Sequence, residues 1–120
     1  MAEQTVSLTA IIGNKLCTAA DDGDRVHEVV ASAIRQGDRV RLSFEGVEDL
    51  TSAFLNAAVG QLYGEFSEEQ LREVLLPPVE ATPDELVLLK RVVERAKDFF
   101  KDPERYRRAA QEILGDDDKK

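Results

Sequence analysis

Apolar and polar positions alternate from Thr5 to Ala10, with Val6, Leu8 and Ala10 set between Thr5, Ser7 and Thr9. This period of two predicts a strand with one buried face. Gly13-Asn14 tolerates positive φ, and Lys15-Leu16-Cys17-Thr18 reads as a short returning strand, so the pattern predicts a hairpin. The period then changes. Val26, Val29, Val30, Ala33 and Ile34 fall on one helical stripe, with Asp21 or Asp22 placed to cap its start and Gly37 placed to end it. Val40, Leu42 and Phe44 next alternate with Arg39, Arg41 and Ser43, which predicts a strand facing the same core. Strand, helix and strand in that order imply a right-handed crossover.

A loop opens at Glu45-Gly46 and ends at Thr51-Ser52, after which Leu55, Ala58, Val59 and Leu62 form a second helical stripe stopped by Gly64. Glu68 to Arg72 reads as one helical turn, and Val74-Leu75-Leu76 as a short strand halted by Pro77-Pro78. Thr82, Pro83 and Glu85 carry the strongest helix start in the chain, a capping box with proline at the first helical position. Leu89, Val92, Val93, Ala96, Phe99 and Phe100 predict the buried side of that helix. Asp102-Pro103 repeats the start signal for a last helix with Tyr106, Ala109, Ala110, Ile113 and Leu114 on its apolar side and Gly115 at its end. The charge run 116–120 has nothing to bury and reads as a solvated tail.

Composition narrows the class. At 120 residues the chain is expected to be a single domain, large enough to hold a core without disulfides or metals. Its single cysteine, Cys17, and the lack of a basic segment leading into an apolar run argue for a cytoplasmic protein. No apolar stretch approaches the ~20 residues that span a bilayer. Twenty-four acidic residues against sixteen basic give a net charge of −8, which opposes non-specific binding to nucleic acid.

The usual chemistry is missing from the residue inventory. Histidine-assisted nucleophilic catalysis would have to use His27, the only histidine, and its place off the apolar stripe predicts a solvated surface side chain. Zinc needs several cysteine or histidine ligands, and the chain has two such residues. The acidic groups Asp21-Asp22, Asp24, Glu68-Glu69 and Asp84-Glu85 sit at or near helix starts, where the macrodipole favours carboxylates by about 0.3–1 kcal/mol without any metal or acid–base role. No phosphate-binding or dinucleotide fingerprint follows a strand, and Gly13-Asn14-Lys15 is too short to make one. A non-enzymatic protein without cofactors is the expectation.

The segment Val40 to Val47, with its Phe44-Glu45-Gly46-Val47 end, continues through Leu50-Thr51-Ser52-Ala53-Phe54 to Asn56-Ala57-Ala58-Val59-Gly60. It joins a buried strand to a helix through a short loop, and over roughly residues 10–100 the chain resembles the STAS-like domains, a bacterial group related to anti-sigma factor antagonists. The resemblance implies an α/β fold with a small mixed sheet and helices mainly on one face, a STAS-like domain over 1–101; the C-terminal helix over 102–115 and the tail over 116–120 lie outside it. In the antagonists an Asp-Ser-Ser-Gly loop is phosphorylated on its first serine by a partner with a histidine-kinase-like ATPase fold. That aspartate falls on Thr51 and that serine on Ser52, whereas Phe54 replaces the glycine.

The implied function is a regulatory, protein-binding switch controlled by phosphorylation at Ser52 or Thr51. Either residue also suits a plain N-cap worth ~1 kcal/mol. The expected contact surface is Asp49, Thr51, Ser52 and Phe54 of the loop with Asn56 and Gln61 of the following helix. Phe54 has two readings, an exposed interface anchor or a side chain packed under the preceding strand. The alternative function is structural self-association through the C-terminal helix, giving a homo-oligomer.

Overall fold

Val6 and Ser7 decide how the chain begins. The computed structural model describes residues 2–101, and in it strand β1 (Glu3–Ser7) is followed directly by a short helix, α1 (Leu8–Ile12). Ser7 Oγ accepts the Ala10 N–H at 3.2 Å, and Gly13 closes the helix at φ 69°, its N–H donating to the Thr9 carbonyl at 2.8 Å. Leu8 and Ile12, four apart, are both buried, so the alternation over Thr5–Ala10 is half strand and half helix. The predicted hairpin is absent, because a helix stands where a two-residue connection would be needed. Strand β2 (Leu16–Cys17) pairs instead with β4 (Asp49–Leu50), in parallel.

Helix α2 (Ala20–Arg35) starts from Ala19, which makes no side-chain cap bond; Asp21 and Asp22 lie in its first turn and do not cap it. Its end is as expected. Gly37, at φ 91°, donates to the Ile34 carbonyl at 2.9 Å and Asp38 donates to the Ala33 carbonyl at 3.0 Å, the two bonds of a Schellman motif. Strand β3 (Arg39–Ser43) then pairs in parallel with β1, from Glu3 opposite Arg39 to Ser7 opposite Ser43. Its other edge takes the extended segment 75–79: Leu76 donates to the Val40 carbonyl at 2.9 Å, Val79 to the Leu42 carbonyl at 3.0 Å, and Phe44 to the Val79 carbonyl at 3.0 Å. The last strand of the sequence pattern is thus shifted past Val74, which ends α4 (Glu68–Val74). Pro77-Pro78, which cannot donate, reduces the pairing to isolated bridges at Leu75 and Val79.

Helix α3 (Ser52–Ala58) passes at Val59 into a 3-10 turn over Gly60–Gly64, so the predicted stripe is carried by two elements. Helix α5 (Pro83–Lys101) begins with the full capping box: the Thr82 N–H donates to Glu85 Oε1 at 2.9 Å and the Glu85 N–H to Thr82 Oγ1 at 3.1 Å. Val92 and Ala96 are its buried residues, while Leu89, Val93 and Phe100 are half-buried and Phe99 is 40 % exposed against Phe100 in an edge-to-face contact at 4.9 Å. Phe99 therefore does not belong to the core as the stripe suggested. The predicted last helix and the tail lie outside the described residues.

The result is an α/β fold. Val6, Val40 and Leu42 are buried with the helices, while Glu3 and Thr5 on the opposite strand faces are exposed and Arg39 and Arg41 half-buried. Each described strand pairing is parallel. Helix α2 packs tightly on α3 at Gly23, where a Cβ would meet the Phe54 carbonyl and stand 2.8 Å from Ala57 Cβ.

Candidate functional site

The β4–α3 junction is built from the two short strands. The Thr51 N–H donates to the Cys17 carbonyl at 3.2 Å, extending the β2–β4 pairing to the residue that starts α3. Thr51 Oγ1 then acts twice. It accepts the Phe54 N–H at 3.2 Å as the N-cap and donates to the Thr18 carbonyl at 2.8 Å. Thr51 is thereby the cap, half-buried and fully engaged. Ser52 beside it is exposed, and its hydroxyl has no hydrogen-bond partner among the described residues. Asp49 is exposed on β4, with Oδ1 accepting the Leu50 N–H at 3.0 Å.

Phe54 is 0 % exposed, which excludes it as a surface anchor. The third residue of α3 faces α2, and the Gly23 backbone lies close against its carbonyl. Asn56 stands four residues after Ser52 on the same exposed face of α3. It reaches a cavity of about 420 Å³ that also takes in Gln61 from the 3-10 turn and Arg95 of α5. Of the six residues expected at the contact surface, Asp49, Ser52, Asn56 and Gln61 are exposed, Thr51 is a half-buried cap and Phe54 belongs to the core.

His27 is not the solvated side chain its position suggested. It is 12 % exposed, with Nε2 2.9 Å from Glu65 Oε2, and Glu65 Oε1 accepts from Arg35 Nη2 at 3.3 Å. Its Nδ1 is buried without a partner among the described residues. Glu65 lies beyond α3, so no spacing within α2 announces this bond. Cys17 is fully buried, and burial, with the Asp22 and Glu85 carboxylates, pushes its thiol up from 9.0 to about 11. Such a thiol is protonated at neutral pH and is a poor nucleophile. Among the described residues no group of three or more His, Cys, Asp or Glu is placed to hold a metal ion, and no helix is long and apolar enough to cross a membrane.

Residues 22–78 match the family model described as a STAS-like domain of unknown function (DUF4325). The match runs from the first turn of α2 to Pro78 in the sheet-edge segment and includes the whole β4–α3 junction. No curated protein and no solved structure matches the chain. The matched segment, 22–78, is thus similar to a STAS-like domain of unknown function, and it lies on the α/β fold just described.

Proposed function

We propose that this domain is a non-enzymatic, regulatory protein-binding module whose exposed α3 face, from Ser52 to Asn56 and on to Gln61, is the contact surface, with Ser52 as the residue that switches it. The observation that carries this reading is the division of labour at the junction. Thr51 supplies the cap with a hydroxyl already bonded on both sides, which leaves the neighbouring Ser52 hydroxyl exposed and without a structural task among the described residues. A phosphate on Ser52 would add a charge of roughly −1.5 to −2 to an exposed face without breaking a bond of the fold. The same residue matches the phosphorylated serine of anti-sigma factor antagonists, so a histidine-kinase-like ATPase is the partner class proposed. The buried Cys17 thiol and the His27–Glu65 contact favour a binding role over catalysis by either residue.

The test is recovery of the partner from native cells by cross-linking to the full chain, followed by affinity measurements on variants. Ser52→Asp is expected to keep the melting midpoint and lower partner affinity by ~30-fold or more, the cost of an unpaired charge at an interface centre. Ser52→Ala is expected to bind as the parent does, and mass spectrometry of the native protein to find phosphate on Ser52. Equal binding by the parent and Ser52→Asp would overturn the assignment.

A further inference from the structure

Strand β1 is paired along one edge only. The Arg39 N–H donates to the Ala2 carbonyl at 2.8 Å and Gln4 stands opposite Val40, so in the parallel ladder the backbones of Ala2, Gln4 and Val6 turn to β3. The N–H and C=O groups of Glu3 and Thr5, and the Ser7 N–H, point the other way, and no described strand lies along that edge. A row of unpaired backbone groups is a template for a further strand, and proteins commonly blunt such edges with lysine, proline or a bulge. The stretch Glu3-Gln4-Thr5-Val6-Ser7 contains neither lysine nor proline, and it pairs with β3 residue for residue, without a bulge.

The helical side of this edge is open as well. Beside Gln4, the α2 residues Glu28, Val29, Ser32, Ala33 and Gln36 line a shallow groove of about 420 Å³, and Val29 is 38 % exposed. Glu28 alone among these six side chains is charged, on a chain of net charge −8. Two acidic copies can therefore approach this flank with little of the repulsion that their net charge would bring elsewhere. Spacing also suits a second copy. Helix α2 packs over both β1 and β3. A two-fold axis beside β1 would set the second copy's β1 about 4.8 Å away and its α2 about 10 Å from this one, the separation at which helices pack. An axis at Thr5 keeps all five residues of each strand paired, with Thr5 opposite Thr5, Gln4 opposite Val6 and Glu3 opposite Ser7, so no like charges face each other.

We propose that β1 is an interface to a second copy of this chain, the two strands pairing antiparallel about Thr5 so that one sheet runs through both copies and the α2 faces around Val29 and Ser32 pack together. Thr5 exchanges two hydrogen bonds with Thr5 of the second copy, and the Ser7 N–H of each copy donates to the Glu3 carbonyl of the other. The contact is isologous, so it closes at two copies. It uses no residue of the α3 face and does not rest on the switch assigned there.

The test is sedimentation equilibrium of the full chain from about 1 μM to about 1 mM, with amide hydrogen exchange at both ends of that range. The mass is expected to rise from one chain to two and no further, and the Thr5 and Ser7 amides to exchange at least about tenfold more slowly in the concentrated sample. Thr5→Pro removes an N–H that β3 does not use, and Val29→Glu sets a second carboxylate beside Glu28 on each flank. Each is expected to weaken dimerisation by about tenfold or more at unchanged far-ultraviolet circular dichroism. The exchange measurement on the parent stands even where a variant fails to fold. A single-chain mass at every concentration, growth beyond two copies, or a dimer that neither variant weakens would each overturn the proposal. So would Thr5 and Ser7 amides already protected in the dilute monomer, which would put another segment of this chain on the edge.

Discussion

Thr51 and Ser52 are adjacent hydroxyl residues at one helix start, and their bonds separate them completely. Thr51→Ala removes the cap to the Phe54 N–H and the bond to the Thr18 carbonyl, so it is expected to cost about 1–2 kcal/mol. Ser52→Ala removes an exposed hydroxyl and is expected to stay within about 0.5 kcal/mol of the parent. Urea midpoints for the two variants check this, and a larger loss at Ser52 would move the cap. Cys17 gives a pH dependence with a definite sign. A thiol pushed up from 9.0 to about 11 in the fold ionises more readily in the unfolded chain. Its contribution is therefore intact below pH 9, falls as pH rises, and is gone above about 11, a loss on the order of 2 kcal/mol. Denaturation of the parent and of Cys17→Ala at pH 8 and pH 10.5 should show the parent losing more stability between the two. Alkylation of Cys17 should likewise require unfolding.

At the scale of elements, the long helices are held by local signals and the short pieces by distant ones. Helix α5 has a reciprocal cap, and Thr82→Ala is expected to cost about 1 kcal/mol. Leu71→Ala in α4, where the side chain is 1 % exposed, is expected to cost about 2–5 kcal/mol by leaving a cavity; thermal melts of the pair should rank them in that order. The same division decides what the sequence revealed. The Gly37 ending of α2 and the Thr82 box of α5 need only neighbouring residues, and both are visible in the chain. The switch from strand to helix at Ser7 depends on a cap that period-two alternation conceals, since Leu8 satisfies either pattern. Pairing of β2 with β4, and of segment 75–79 with β3, depends on contacts across more than thirty positions. At the candidate site, Ser52 and Asn56, named from the sequence as contact candidates, are exposed, but the sequence could not orient Phe54, because the first helical turn has no preceding turn to fix its phase. A groove beside Tyr63 and Arg72 draws on β3, the 3-10 turn, α4, the sheet-edge segment and α5, and leaves no local trace.

The molecule as a whole is acidic, and several of the described basic side chains are paired with carboxylates, as in Arg41 with Glu3, Arg35 with Glu65 and Arg72 with Glu68. With a net charge of −8 it is expected to give no mobility shift with duplex DNA or RNA at physiological salt. A salt-sensitive shift would reverse that expectation. One pairing also governs how the chain emerges from the ribosome. Strand β1 begins at Glu3, yet its partner β3 begins at Arg39, and the far edge of β3 is completed only by Val79. At about 5–20 residues per second, β1 waits roughly 2–7 s for β3 to be synthesised and several seconds more before that strand is flanked on both sides. During that interval α2 can form from its own sequence, whereas the sheet cannot. A translational pause once Val79 has cleared the ribosomal tunnel would therefore favour closure of the sheet, while a pause before β3 has emerged would prolong exposure of Val6 and Leu8.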